Sequence, residues 1–170
     1  MLADVCDLVV ASEDAKFVNP SLCHAGTGAE VLTLPWTIDV HETKELLWTG
    51  DPLYAADAKD LGLVNRVVPT DELYEEALYL ARRVALNPTV SLEVTKRALN
   101  YTLDQMGQRD ALKYHFALHQ LVHHSREGTE WHEEASRRQA EEGFGAWLEF
   151  RDSPFRSLAE EYGKEDPHVS

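Results

Sequence analysis

Cysteine is nearly absent from this chain, whose 170 residues carry two, Cys6 and Cys23. They lie too far apart for a CxxC pair and neither has a second cysteine close by. Neither a CxxC redox pair nor half of a cysteine zinc site is therefore present, and both thiols read as small hydrophobes. Positive charge is scarce too. Sixteen Lys and Arg stand against thirty Asp and Glu, a net charge of -14 at pH 7, and the cations form no run, so a nucleic-acid backbone would be repelled. No stretch of eighteen apolar residues exists, and Asp4 and Asp7 interrupt the N-terminus where a signal peptide would be basic and then apolar. No nucleic acid and no membrane is expected as a partner, and the expected compartment is the cytoplasm. Internal repeats and low-complexity tracts are missing, as are the GxSxG, HExxH, GxGxxG and GxxxxGK(S/T) motifs.

What is present is the composition of an ordinary globular protein, 44% hydrophobic and 27% charged, long enough for one domain or a core with an appended helical piece. The run "VCDLVVA", Val5 to Ala11, predicts a strand buried on both faces, with neighbours on either side. A second short strand follows through Lys16 to Val18, broken by "NPS". Two glycines ahead of "AEVLTLPW" predict a helix starting near Gly28, ended or kinked by Pro35. "HETKELLWTG" predicts a helix with Thr43, Leu46 and Leu47 on one face and Gly50 as its stop. "AADAKDLG" predicts a third helix ended by Gly62, and "LVNRVVP" a strand closed by Pro69.

From residue 70 the pattern is helix after helix. Thr70 stands as N-cap of an amphipathic helix with Leu73, Ala77, Leu80 and Val84 on one side. Pro88 opens a second, with Leu92, Thr95, Leu99 and Leu103 in line. "RDALKYHFALHQLVHHS" predicts a third. The tail predicts one charged helix and a shorter aromatic one, frayed after Phe155. The chain thus divides into a mixed α/β part, 1–69, and a helical part, 70–170.

Four constellations are candidates for chemistry. His115, His119 and His123 form a stripe at spacing four, with His124 beside it; two of them could grip a metal ion, but no carboxylate or cysteine partner accompanies them, so a polar packed face is expected and no metal site. Ser21, Cys23 and His24 are sequence neighbours, whereas triad members converge from separate elements. Gly26 and Gly28 form a tight turn whose exposed N–H groups, at a helix start, suit an anionic ligand or a polarised carbonyl. Glu30 is the one carboxylate nominated as acid or base, against the alternative that it merely complements a helix dipole.

Three blocks taken together, "CDLVVASEDAKFVNP", "ELLWTGDPLYAADAKDLGLVNRVVP" and "LARRVALNPTVSLEVTKRALN", resemble in order and spacing the crotonase superfamily, the enoyl-CoA hydratase/isomerase family. The resemblance covers about residues 1 to 103. It implies an α/β fold: the C-terminal part of a crotonase-like spiral of ββα units, followed by a helical region that drives assembly into a homo-trimer or hexamer. It implies an acyl-CoA substrate, no cofactor beyond the coenzyme A that the substrate carries, and two backbone N–H groups holding the thioester oxygen while an enolate-like anion forms. In the family a glycine-rich turn precedes the segment matched by Leu2-Ala3, and the chain is expected to be a truncated version starting just past it. The two glutamates of the hydratases fall at Met1 and Ser21, neither of which can serve as general acid or base. Tyr54 stands where a serine helix cap is common, and "HAGTG" departs from the usual proline- and glycine-rich helix start. The expected catalytic residues are then Glu30 and His24, with Gly26 and Gly28 binding the substrate. The alternative expectation is a non-catalytic module that docks with full-length relatives.

Overall fold

The computed structural model describes residues 3–20, 22, 25–26 and 32–165. Val10–Ser12 is strand β1, Lys16–Phe17 is β2, Leu53–Tyr54 is β3 and Arg66–Val68 is β4. β1 runs parallel to β4 with Val10 opposite Arg66 and Ser12 opposite Val68, and β2 runs antiparallel to β3 with Lys16 opposite Tyr54. Parallel pairing requires a crossover. Here it contains helix α1, Val40–Thr49, and helix α2, Ala55–Asp60.

Helix α1 begins where the Asp39 carboxylate accepts the His41 N–H at 2.7 Å and ends at Gly50, φ 73°, as the sequence predicts. Its inner face is Thr43, Leu46 and Leu47; the buried Thr43 hydroxyl donates to the Asp39 carbonyl at 2.9 Å, so no polar atom is stranded there. Helix α2 ends in a Schellman motif: the Leu63 N–H bonds the Ala58 carbonyl at 2.8 Å and the Gly62 N–H bonds that of Lys59 at 3.1 Å, with Gly62 at φ 89°. The turn delivers Leu63 and Val64 into the core, beside Ala11, Leu34, Ile38, Leu46, Ala55 and Ala58. Asn65 then clasps Val9, accepting its N–H on Oδ1 at 2.7 Å and donating its own N–H to the Val9 carbonyl at 2.9 Å. This clasp sets the register of β1 on β4.

The opening strand is shorter than expected. Ala3–Val5 is a turn of 3-10 helix, extended pairing begins only at Val10, and Val5 and Leu8 are exposed. The apolar run does not meet a partner strand on its far side among the described residues, since β1 pairs with β4 alone. The helix predicted near Gly28 lies largely outside the described residues. Beyond it, Pro35 sits inside a 3-10 turn, Leu34–Trp36, where its fixed φ fits and its missing N–H is harmless.

Past Pro69, Thr70–Glu72 is another 3-10 turn. It leads into α3, Leu73–Ala85; α4, Thr89–Gln105; α5, Gln108–His123; α6, Arg126–Glu142; and α7, Phe144–Glu161. Thr70 is not a cap. Its hydroxyl donates instead to the Asp14 carboxylate at 2.8 Å, tying the start of α3 to the β1–β2 turn. Leu73, Leu80 and Val84 are half-buried, but Ala77 is exposed. On α4, Leu99 stays 61% exposed and Val90 71%: the periodicity forms the helix without supplying a surface to cover it.

Helix α7 is the clearest departure from expectation, being longer than α6 and running past Phe155 to Glu161 with Pro154 inside it. A proline costs a helix roughly 3 kcal/mol. Contacts on either side of the proline offset that cost. Trp131 of α6 packs on Phe150 and Trp147 with ring centroids 5.3 and 6.3 Å away, and Arg156 reaches back across Pro154 to Glu149 at 3.1 Å.

Candidate functional site

Where β2 leaves the sheet, a cavity of about 200 Å³ is lined by Phe17, Val18, Asn19, Leu34, Leu46 and Leu63. Much of the lining is apolar because α1 turns Leu46 inward and the Gly62 turn brings Leu63 to the cavity. The charged lining residues are Lys16, its ammonium 5.4 Å from the centre of the Tyr54 ring, and Asp4. Asp4 is held firmly. Both of its carboxylate oxygens accept hydroxyls, one from Thr33 and the other from Thr37 at 3.1 Å.

Asp4 also lines a second, larger groove of about 500 Å³, which continues between Trp36, Asn65 and the α4 residues Leu99 and Asn100. Two of its lining residues are tied to the helical part: the Trp36 indole N–H donates to the Met106 carbonyl at 3.4 Å, and Asp7 pairs with Lys96 of α4. The first cavity is smaller than the ~300–1,000 Å³ of a site that encloses a drug-sized ligand. It has room for a short apolar group, and the groove beyond Asp4 is open enough for a polar extension.

His24, Gly28 and Glu30, with Met1 and Ser21, lie outside the described residues. Gly26 is described and half-buried, next to Ala25, which takes the left-handed φ of 53° with its N–H on the Leu22 carbonyl at 3.2 Å. Asp4, Thr33 and Thr37 were missed. Twenty-nine and thirty-three residues separate the partners, and no local motif marks such a contact.

Asp14, near the β1–β2 turn, is a second carboxylate in a defined setting. Hydroxyl donors from Ser12 and Thr70 hold its carboxyl below the ordinary value. Among the described residues no group of three or more His, Cys, Asp or Glu could hold a metal ion, and no helix is long and apolar enough to cross a membrane. The histidine stripe is partly packed, as expected of a polar face: His115 lies 6.4 Å from Trp36.

Comparison with known proteins gives this geometry a lineage. The profile of the Enoyl-CoA hydratase/isomerase family matches residues 1–157. The EchA13 protein of Mycobacterium tuberculosis is 44% identical over 124 residues, 72% of this chain and 39% of that protein. The mitochondrial enoyl-CoA hydratase of Pongo abelii is 35% identical over 104 residues, 58% of this chain and 35% of that protein. Among solved structures, an enoyl-CoA hydratase/isomerase from Xanthobacter autotrophicus Py2 superposes with a TM-score of 0.80 at 31% identity, over 90% of this chain and 56% of that one. The chain thus spans well under half the length of these two curated relatives. With the family profile covering nearly the whole sequence and the fold matching a solved member, the chain belongs to the enoyl-CoA hydratase/isomerase family of the crotonase superfamily.

Proposed function

We propose that this chain is part of a protein that acts on an acyl-CoA thioester through an oxyanion-stabilised enolate, with coenzyme A entering as part of the substrate and no separate cofactor. The observation that carries this reading is a pair of cavities that share Asp4 and Leu63 in their lining, one mostly apolar and small, the other larger and more polar, in a chain that matches the family over residues 1–157. The mechanism asks for two N–H dipoles at the thioester oxygen, each worth on the order of 10² to 10³ in rate. By resemblance, the turn that supplies one of them precedes Leu2-Ala3 in the family. The 170 residues alone are therefore proposed to be inactive, and Glu30 and His24 are proposed as the proton-handling groups when those dipoles are supplied, with Gly26 and Gly28 near the thioester.

The test is turnover of a crotonyl-type CoA thioester, read against the buffer blank. The 170-residue chain is expected to match the buffer blank. A fusion carrying the N-terminal half of a family hydratase is expected to exceed it and to lose that gain on Glu30→Gln or His24→Ala. Turnover by the unaided chain would overturn the dipole argument, and unchanged turnover in both substitutions would remove those two residues from the mechanism.

A second reading has its own support. Tyr74, Leu86, Val90, Tyr101 and Leu121, all on or next to helices α3–α5, are between 64% and 86% exposed, more apolar surface than an isolated helical region ordinarily shows to water. Docking of the helical part, 70–170, onto further copies or full-length relatives would cover it. Size-exclusion chromatography with light scattering is expected to show trimers or larger species. A monodisperse monomer, alone and mixed with a full-length relative, would count against docking.

A further inference from the structure

On α5 the rings of His119 and His123 meet edge to face with centroids 4.5 Å apart, and their two Nε2 atoms approach to 3.1 Å. A metal ion bound at about 2.0–2.1 Å by each of two imidazole nitrogens holds those nitrogens roughly 2.9–3.4 Å apart, the span between right-angle and tetrahedral geometry. The spacing of four residues on one helix face brings the pair together without any backbone change. His132 of α6 supports it. Its ring stacks on that of His123 at 5.2 Å and 19°, which fixes the His123 plane, and Trp131 abuts His132 edge-on at 5.3 Å. His124 belongs to a different arrangement, its Nδ1 lying 2.7 Å from the Gln120 carbonyl. An open depression lined by His123, Thr129, His132 and Glu133 leaves His123 open to solvent.

We propose that His119 and His123 form a two-nitrogen chelate for a divalent transition metal of the imidazole-preferring class, Cu²⁺, Ni²⁺ or Zn²⁺, with water completing the coordination, since among the described residues they belong to no group of three or more ligands. In the metal-free protein one Nε2 donates to the other. Chelation requires both Nε2 lone pairs to face the ion, with each ring carrying its proton on Nδ1. Because the chelate spans one turn of α5, the ion binds the helical state and stabilises it.

The experiment is titration of the full chain with Zn²⁺ and with Cu²⁺ by calorimetry at neutral pH, with circular dichroism to check the fold of each variant. One equivalent is expected to bind the native chain. His119→Ala and His123→Ala are each expected to weaken binding by more than the roughly 10- to 100-fold that loss of an outer-shell partner costs a metal site. His124→Ala is expected to bind as the native chain does, and added Zn²⁺ to raise the melting temperature of native protein but not of His119→Ala. Absence of saturable binding, native affinity in either single variant, or an equal loss in His124→Ala would overturn the proposal. A fold change on substitution is covered by the conservative His119→Gln variant, which keeps a hydrogen-bonding side chain and must still lose the ion.

Discussion

Replacing Gly62 by alanine isolates the turn on which both the core and the candidate site depend. Gly62 takes φ 89°, a conformation that costs an L-residue about 1–2 kcal/mol relative to glycine. The added Cβ would have the Thr37 carbonyl oxygen as its nearest neighbour, at 3.8 Å, an ordinary van der Waals contact, so no steric term adds to the backbone one. The expected loss is therefore that same ~1–2 kcal/mol, which corresponds to a fall in melting temperature of about 2–8 °C for a domain of this size. Urea denaturation followed by tryptophan fluorescence reads the same change as a lower midpoint at constant slope. Gly62→Asn is expected to lose less, because asparagine tolerates the left-handed region better than alanine does. Gly145 provides the opposite sign. It lies exposed within α7 with nothing within 4 Å of a Cβ, and Gly145→Ala is expected to stabilise by roughly 0.5–1 kcal/mol. A Gly62→Ala protein as stable as the native one would mean that the left-handed turn, and with it the placement of Leu63 and the Asn65 clasp on Val9, is wrong.

Two further outcomes follow from close contacts in the helical part. A Cβ on the buried Gly128 would collide with the Val122 carbonyl across the α5–α6 turn, where Ser125 accepts the Gly128 N–H at 3.0 Å; backbone cannot yield as a flexible side chain can, so Gly128→Ala is expected to cost about 1–3 kcal/mol in a denaturant midpoint. Hydrogen bonds from Arg137 and Arg138 lower the Glu134 carboxyl from 4.5 to about 2. With the folded value depressed, the unfolded chain binds more protons in that window, so the contribution is complete above pH 4.5 and disappears as pH falls towards 2; a Glu134→Gln protein should show a shallower acid limb of its melting-temperature profile than native protein, and an identical limb would refute the pairing.

The sequence was most legible where backbone chemistry is local. Gly50 and Gly62 end α1 and α2 because only glycine takes a positive φ without penalty, and that requirement is written in one letter. It was least legible where a side chain has more than one use. Thr70 precedes a helix with acidic residues in its first turn and so has the pattern of a cap, yet its hydroxyl goes to Asp14, fifty-six residues away. Pro154 carries the pattern of a helix end, and α7 continues through it because Trp131 and Arg156 hold both sides. The run from Val5 to Val9 shows the same limit in reverse: an apolar pattern records what the residues need and cannot say which surface meets that need.

Composition, period and the three sequence blocks by themselves determined the family, the mixed α/β beginning, the succession of helices, and the absence of a nucleic-acid-binding charge pattern, since all of these are sums over residues or repeats along one chain. Only the tertiary structure decided that Asp4 stands between two cavities in the grip of Thr33 and Thr37, that β1 lies parallel to β4 through the Asn65 clasp, and that His119 and His123 share a nitrogen contact on α5 while His132 braces one ring. Those placements depend on angles between elements, which arise when helices and strands pack and have no counterpart in the order of the letters.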